Sequence, residues 1–533
     1  MKLLLAGLLV GMVAVTGWAE VRVPYSPELL KKAESGDADA QYRLGRCYED
    51  GIGVAKDEKR AFEWFAKSAE QDNADAQNNL GWRYQKGIGV TKDEKKAFEW
   101  YTKSAEQGDE DGQYNLGGCY QEGDGVTKDE KKAFEWYTKS AEQGNADAQN
   151  NLGWRYQKGI GVTKDEKKAF EWYTKSAEQG DSDGQYNLGR CYEFGIGVTK
   201  DGKMAVEWFT KSAEQGNADG QYKLGWCYRY GIGVTKDEKK AFEWFTKSAE
   251  QGNAHGQFKL GQFYREGVGV VKNEKKAFEW YTKSAEQGDA RGQCYLGLCY
   301  RDGIGVAKDE MKAFEWFTKS AGQGDAEGQI NLGECYEKGK GVAKDEKKSF
   351  EWHTKSAEQG NAYGQFKLGW FHRDGIGVAK DVKKAFEWYS KSAEQGNATG
   401  QICVGYCYSR GIGVAKDEKE SVRWYTKAAE QGEVHGLSNI AWIYATSNDP
   451  SMRNGKEALK FAQQAVQKCV KPDSYIYAAL AAAYAEQGDF ELAVTTQEKA
   501  ISILTDKTRE KDFQAELRSY KDKKPWRREK TSP

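Results

Sequence analysis

The chain has 533 residues, with 80 Lys and Arg against 81 Asp and Glu, so its formal net charge is −1. That balance excludes a bulk electrostatic pull toward nucleic acid or an anionic membrane. Charged residues make up 30% and are interleaved in sign, which fits the wet faces of helices rather than a disordered tail, and 6 prolines against 61 glycines suit long helical content.

The N-terminus opens with Met1-Lys2, an apolar run from Leu3 to Val15, and small residues at Gly17 and Ala19. This pattern reads as a secretory signal at residues 1–19, cleaved after Ala19, and implies an exported protein, periplasmic or secreted. The run falls short of the roughly 20 residues of a membrane-spanning helix. An uncleaved anchor is the alternative; after cleavage no membrane insertion is expected. Residues 20–36 then form an N-terminal cap. Ser26-Pro27-Glu28 starts a helix with proline in its first turn, and Leu29 to Ser35 continue it.

From residue 37 to 436 the chain repeats itself. Gln41 recurs as Gln77, Gln113, Gln149, Gln185, Gln221, Gln257, Gln293, Gln329, Gln365 and Gln401, always 36 residues on. Eleven such units signal a solenoid, in which each unit leans on the next to bury its apolar stripe. In the first unit Asp37 caps a helix that runs to about Asp50. Gln41, Leu44, Gly45 and Tyr48 share one face of it. Gly51 ends it, since glycine tolerates the left-handed backbone beyond a helix C-terminus. Asp57 caps a second helix from Glu58 to about Gln71, with Glu63 and Lys67 spaced to pair on its wet face. Its inward face takes Ala61, Trp64 (or Phe65), Ser68 and Ala69, and Trp64 with its equivalents reads as the large core plug. Gly45 costs about 1 kcal/mol against alanine in mid-helix. Close approach of two helices, with small Ala61 and Ala69 opposite, is the expected compensation. The fold class is all-α, an α/α solenoid of stacked helix-turn-helix repeats.

These residues resemble the Sel1-like repeat family. The resemblance is carried by Leu44, Gly45, Tyr48, Gly51, Gly53, Val54, Asp57, Ala61, Trp64 and their periodic equivalents over about residues 36–436. Departures are mild: Asp72 for a terminal glycine, His372 for the tyrosine, Val404 for the leucine, Ser349 and Ser421 for the alanine. The resemblance implies an adaptor that assembles protein complexes. Residues 437–506 continue with amphipathic helices, and YAALAAAYAEQGDFELAVTTQEKA resembles a tetratricopeptide repeat through Leu480, Ala481, Tyr484, Gly488, Ala493 and Ala500, with Gln497 in place of the usual aromatic. Residues 507–533 read as a capping helix, about Thr508 to Lys521, and a basic, frayed, solvated tail.

No catalytic, metal or cofactor site is legible. His255, His353, His372 and His435 stand at positions that other residue types fill elsewhere, and no phosphate loop, dinucleotide fingerprint or Ser-His-Asp pattern occurs. Seven of the ten cysteines (Cys47, Cys119, Cys191, Cys227, Cys299, Cys335, Cys407) share one position three residues after the leucine. They read as buried small thiols, because successive helices about 10 Å apart exceed the roughly 7 Å that a disulfide tolerates. Free thiols sit awkwardly with export: either burial protects them or the export reading fails. Cysteine-rich relatives pair this helix with a second cysteine late in the other helix, which is missing here. The β-lactamase activity attributed to them would need an S-x-x-K, S-D-N or K-T-G motif, and none is present.

Function is expected where the repeats differ. Positions are named below by their number in the first repeat. Positions 39, 42, 46 and 49 form a stripe beside the core face, which lines the concave groove of a tetratricopeptide-like superhelix. Position 39 is aspartate six times (Asp39, Asp75, Asp111, Asp147, Asp183, Asp219), then His255, Arg291, Glu327, Tyr363 and Thr399. Position 49 turns from Glu49, Gln85, Gln121, Gln157 and Glu193 to Arg229, Arg265, Arg301 and Arg373. Position 46 carries Trp82, Trp154, Trp226 and Trp370. Aromatic and arginine residues are common interface anchors. These eight side chains are therefore candidate partner-binding residues in a groove that turns from acidic to basic and holds a segment of a protein partner. Against this, the aspartates can simply serve helix N-termini, with drift between duplicated repeats explaining the rest. The alternative function is a cell-wall, carbohydrate or penicillin-binding envelope protein, suggested by exposed tryptophans and export alone.

Overall fold

A computed structural model describes residues 24–527. The signal segment at residues 1–19 lies outside the described residues. The chain forms two compact units, one reaching to Gly256 and the other starting at Gln257. Within each unit consecutive helices pack in antiparallel pairs, and among the described residues there is no strand.

The first repeat shows how local sequence sets each pair. Its helices span Ala38–Asp50 and Glu58–Ala69. Asp37 accepts a hydrogen bond from the Ala40 amide at 2.7 Å, and Asp57 accepts from Lys59 and Arg60. Gly51 ends the first helix at φ +73°, its amide donating to the Cys47 carbonyl. The chain then turns back, and the Asp57 amide donates to the Tyr48 carbonyl. A capping helix, Pro27–Glu34, precedes the repeats, with the Ser26 hydroxyl accepting from the Leu29 amide.

The core plug is not the tryptophan. Phe65 is fully buried, as are Tyr101, Tyr173, Phe209, Phe245, Tyr281 and Phe317 at the same position of later repeats. Trp64 and its ten equivalents are half-buried, packed at the margin of the buried clusters rather than at their centre. Over each indole lies the ammonium group of the lysine three residues on, 3.7–4.1 Å from the ring centroid. Lys67 is thus placed over Trp64, where the sequence suggested a pairing with Glu63; the ring face and the lysine stem shield one another.

This exchange also revises the account of Gly45. A Cβ built there would stand 2.8 Å from the Phe65 ring, and one on Gly81 2.7 Å from the Tyr101 ring. The mid-helix glycine makes room for the aromatic plug of its own repeat, rather than for a small residue opposite. Close approach is the right principle with a different partner.

A second constant device is polar. Gln41 is 5% exposed, and its side chain is bonded at both ends. Its Nε2 donates to the Ala33 carbonyl of the preceding helix at 3.0 Å, while Gln71 Nε2 donates to its Oε1 at 2.7 Å. The second contact recurs in all eleven repeats. Ser68 adds a bond of 2.7 Å from its hydroxyl to the Ala38 carbonyl. Each buried polar group so satisfied avoids a cost of about 1–3 kcal/mol.

The seven cysteines that share a position are buried. Burial pushes the thiols of Cys119, Cys191, Cys227 and Cys299 up to about 12. They are therefore uncharged and poor nucleophiles at neutral pH. In the other four repeats the same inward position holds Arg83, Arg155, Phe263 and Phe371, all of them buried. Arg83 pairs with Glu49 and Glu58 at 2.9 and 3.0 Å, and Arg155 with Glu130 at 3.1 Å. Their planes lie over Phe65 and Tyr137.

After the last repeat, helices Val434–Thr446, Gly455–Lys468, Ser474–Glu486, Phe490–Ser502 and Glu510–Lys521 complete the second unit around an alanine-rich core. The basic tail is not frayed over its described length. Trp526 packs on that core, and Arg527 reaches the Ala445 carbonyl at 3.1 Å and the Glu486 carboxylate at 2.7 Å. Residues 528–533 lie outside the described residues.

Two measurements check this packing. Gly117 and Gly118 are neighbours in one helix, yet a Cβ on Gly117 would meet the Tyr137 ring at 3.0 Å, while on Gly118 its nearest contact is the Tyr137 hydroxyl at 3.7 Å. Gly118→Ala should stabilise the third repeat by about 1 kcal/mol, and Gly117→Ala should destabilise it by about 1–3 kcal/mol, read as amide hydrogen exchange of its two helices. In native iodoacetamide labelling, the half-buried Cys469 should react ahead of Cys119, Cys191, Cys227 and Cys299, which should react only on unfolding.

Candidate interaction face on the first helices

Position 39 to position 49 covers three turns of the first helix, so the stripe follows from helical spacing alone. Contacts between successive repeats run along it. In the first unit Asn115 donates to Asn78 and Asn187 to Asn150, at 2.8 and 2.9 Å, and Lys223 pairs with Glu193 at 2.7 Å. In the second unit Lys367 pairs with Glu337 at 2.9 Å. Part of the variation between repeats is thus matched across junctions.

The aspartates at position 39 have a structural task. Asp39, Asp111, Asp183 and Asp219 each accept a hydrogen bond from the capping asparagine of the next repeat: Asn73, Asn145, Asn217 and Asn253. Asp147 faces a capping aspartate instead, Asp181. Burial first, and then acidic neighbours including Asp147, push Asp181 upward.

The four arginines are engaged within the chain. Arg229 pairs with Glu238 at 2.7 Å in the first unit. In the second unit Arg301 forks onto Asp302 and also donates to Asn331, and Arg373 forks onto Asp374. Arg265 lies 5.4 Å from the Tyr295 ring centroid. The sequence comparison counted four positive charges at this position; the fold sets acids beside three of them.

The tryptophans divide into two classes. Trp82 and Trp154 are 37% and 39% exposed. Trp226 and Trp370 are half-buried, which corrects the reading of four exposed anchors. Trp226 lies between Tyr222 and Tyr230, with centroids at 6.3 and 4.4 Å, and Lys367 stands 4.8 Å from the Trp370 ring.

Sequence reasoning missed two exposed aromatics beside the stripe. Phe194 and Tyr230 are 49% and 52% exposed, and Lys223 stands 5.0 Å from the Phe194 ring. Comparing position 50, which is charged in the other nine repeats, would have exposed both.

The histidines are not arranged for chemistry. His353 takes the place of the core aromatic; burial pushes it down to about 4, and its Nδ1 lies 2.9 Å from the Ser349 carbonyl oxygen. Among the described residues, no group of three or more His, Cys, Asp or Glu side chains is placed to hold a metal ion. Among the same residues, no helix is long and apolar enough to cross a membrane.

Comparison with known proteins places this architecture. The Sel1 repeat matches residues 38–73, 74–109, 110–145, 146–181, 182–217, 218–253, 254–289, 290–325, 326–361, 362–397 and 400–433. The chain is similar to c5321, a protective antigen of uropathogenic Escherichia coli displaying an SLR fold, with 38% identity and a TM-score of 0.61; the match covers 85% of this chain and 96% of that one. It is also similar to a Sel1 repeat protein of Oxalobacter formigenes, with 35% identity and a TM-score of 0.43 over 46% of this chain and 96% of the other. No curated protein matches. Sel1 repeat proteins generally act as protein-interaction scaffolds. Eleven matched repeats, the shared fold of a relative aligned over most of both chains, and a helix pair rebuilt each time on the same glycine, aromatic and glutamine lead to one conclusion: the chain belongs to the Sel1 repeat family.

Proposed function

We propose that the protein is a non-catalytic scaffold that holds a segment of a partner protein along its first-helix faces. One observation carries the reading: bulky indoles are left exposed at Trp82 and Trp154, at a position where other repeats hold Arg46, Gly118, Arg190, Gln262, Leu298, Glu334 or Tyr406. The fold needs no indole there, and exposed aromatics on a soluble surface mark interaction sites. Trp226 and Arg229 extend the face in the first unit. In the second unit Arg265, Arg301, Trp370 and Arg373 form the corresponding face, and the Arg–Asp forks hold the guanidinium planes in fixed orientations. Export to the periplasm or beyond belongs to the same proposal and rests on the pattern of residues 1–19. No observation favours the cell-wall, carbohydrate or penicillin-binding alternative.

Photo-crosslinking tests the reading. Benzoylphenylalanine at position 82 or 154 should form an adduct with one defined partner, whereas the same residue at position 136, on the second helix, should not. Trp82→Ala with Trp154→Ala should then weaken that partner at least tenfold with helicity unchanged, in line with about 2 kcal/mol for an interface anchor. Adducts equally abundant at all three positions, or an unchanged affinity, would refute it.

A further inference from the structure

The second unit holds a cavity of about 720 Å³ that the repeat pattern does not account for. It lies among both helices of the last repeat (Ala398–Arg410 and Glu418–Glu430), the helices Val434–Thr446 and Ser474–Glu486, and the C-terminal helix Glu510–Lys521 with the turn before it. Its volume is in the range of small-molecule sites. The walls are aromatic: Tyr406, Trp442, Tyr475 and Phe513 all line it, and Tyr475 meets Phe513 edge-on at 5.7 Å.

Three polar groups in this lining have unused capacity. Glu516 is 3% exposed. Its Oε2 accepts from Gln497 Nε2 at 2.8 Å, and its Oε1 has no partner among the described residues. Burial pushes this carboxyl up to about 8, so at neutral pH it is a neutral acid. The proton belongs on Oε1, because Oε2 already receives an N–H. Arg509 lines the same cavity; it pairs with Asp512 at 3.3 Å, yet its Nε is buried with no acceptor. Arg410 also lines it, exposed and without an ion pair among the described residues. Glu433 is the other carboxylate of the lining, and His435 is turned to Asp473 at 3.8 Å.

We propose that this cavity binds an amphiphilic carboxylate, an aromatic or long aliphatic body carrying one acidic group. The body fills the space between Trp442, Tyr406 and Phe513. The carboxylate takes the N–H donors of Arg509 and Arg410 and the O–H donor of Glu516, which are charge-assisted hydrogen bonds. The same chemistry is offered by a free organic acid and by an aromatic side chain next to an aspartate in a polypeptide. The site stands independently of the scaffold reading, because its test uses defined small probes.

The experiment is saturation-transfer NMR and calorimetry on the mature chain with 3-(indol-3-yl)propionate, with the corresponding alcohol, and with an acetylated, amidated peptide carrying Trp-Asp. The acid should bind at least tenfold more tightly than the alcohol. Arg410→Ala and Arg509→Ala should each weaken the acid by about five- to tenfold and leave the alcohol unchanged. Arg410 is exposed, so its variant tests the site without disturbing the core. Tighter binding of the peptide assigns the ligand to a polypeptide, and tighter binding of the acid to a small molecule. No transfer to the acid or the peptide at millimolar concentration, equal binding of acid and alcohol, or variants that bind the acid as the wild type does, would overturn the proposal.

Discussion

The contact on which the structure depends is a ring seated against a missing side chain. In each repeat the aromatic plug of the second helix lies where the Cβ of the first helix's glycine would be. A methyl group there cannot be tolerated without moving the ring, and the ring is closed in on every side. This fixes the distance between the two helices of a pair more sharply than an apolar stripe can. The exception supports the rule. His353 replaces the plug in one repeat, and the glycine facing it, Gly333, remains, with a built Cβ only 2.4 Å from the imidazole.

The glutamines do for the junctions what the glycine does for the pair. A buried amide that donates to the end of the preceding helix and accepts from its own second helix has one geometry that satisfies both ends. Apolar faces tolerate sliding; this arrangement does not, because a shifted helix would strand the amide and the carbonyl together. Hydrophobic burial holds the stack together, and the amides set its register.

The local features were legible in the sequence. The caps at Asp37 and Asp57 and the glycine stop at Gly51 depend on residues within one turn of each other. The choice between Trp64 and Phe65 was not legible. Adjacent residues lie 100° apart on a helix, and either can face inward until the first helix is placed against it. Gln41 was seen as a constant residue, but a polar side chain on an apolar face does not announce its two partners, 8 and 30 residues away. That positions 39, 42, 46 and 49 share one face follows from helical spacing, but the charge of that stripe was overread. Arg301 and Arg373 are met by the aspartates that follow them, and Arg229 by a glutamate nine residues on. The cavity beside Trp442 was invisible because its lining comes from five separate helices, and Glu516 takes its character from enclosure rather than from any motif.

The glutamine junction has a consequence for how such a chain changes length. Nine junctions use the same amide and the same carbonyl position, so at those the second helix of one repeat can be followed by the first helix of another with this contact kept. Removing 36 residues anywhere inside the array rejoins two ends that already fit one another. Length can therefore vary by whole repeats at the cost of the few side-chain pairs matched across a junction, while a change by any other number of residues strands a buried amide. Near-identical repeats also invite such recombination in the coding sequence. Array length can then be tuned as a ruler whose gradations are set by one glutamine side chain.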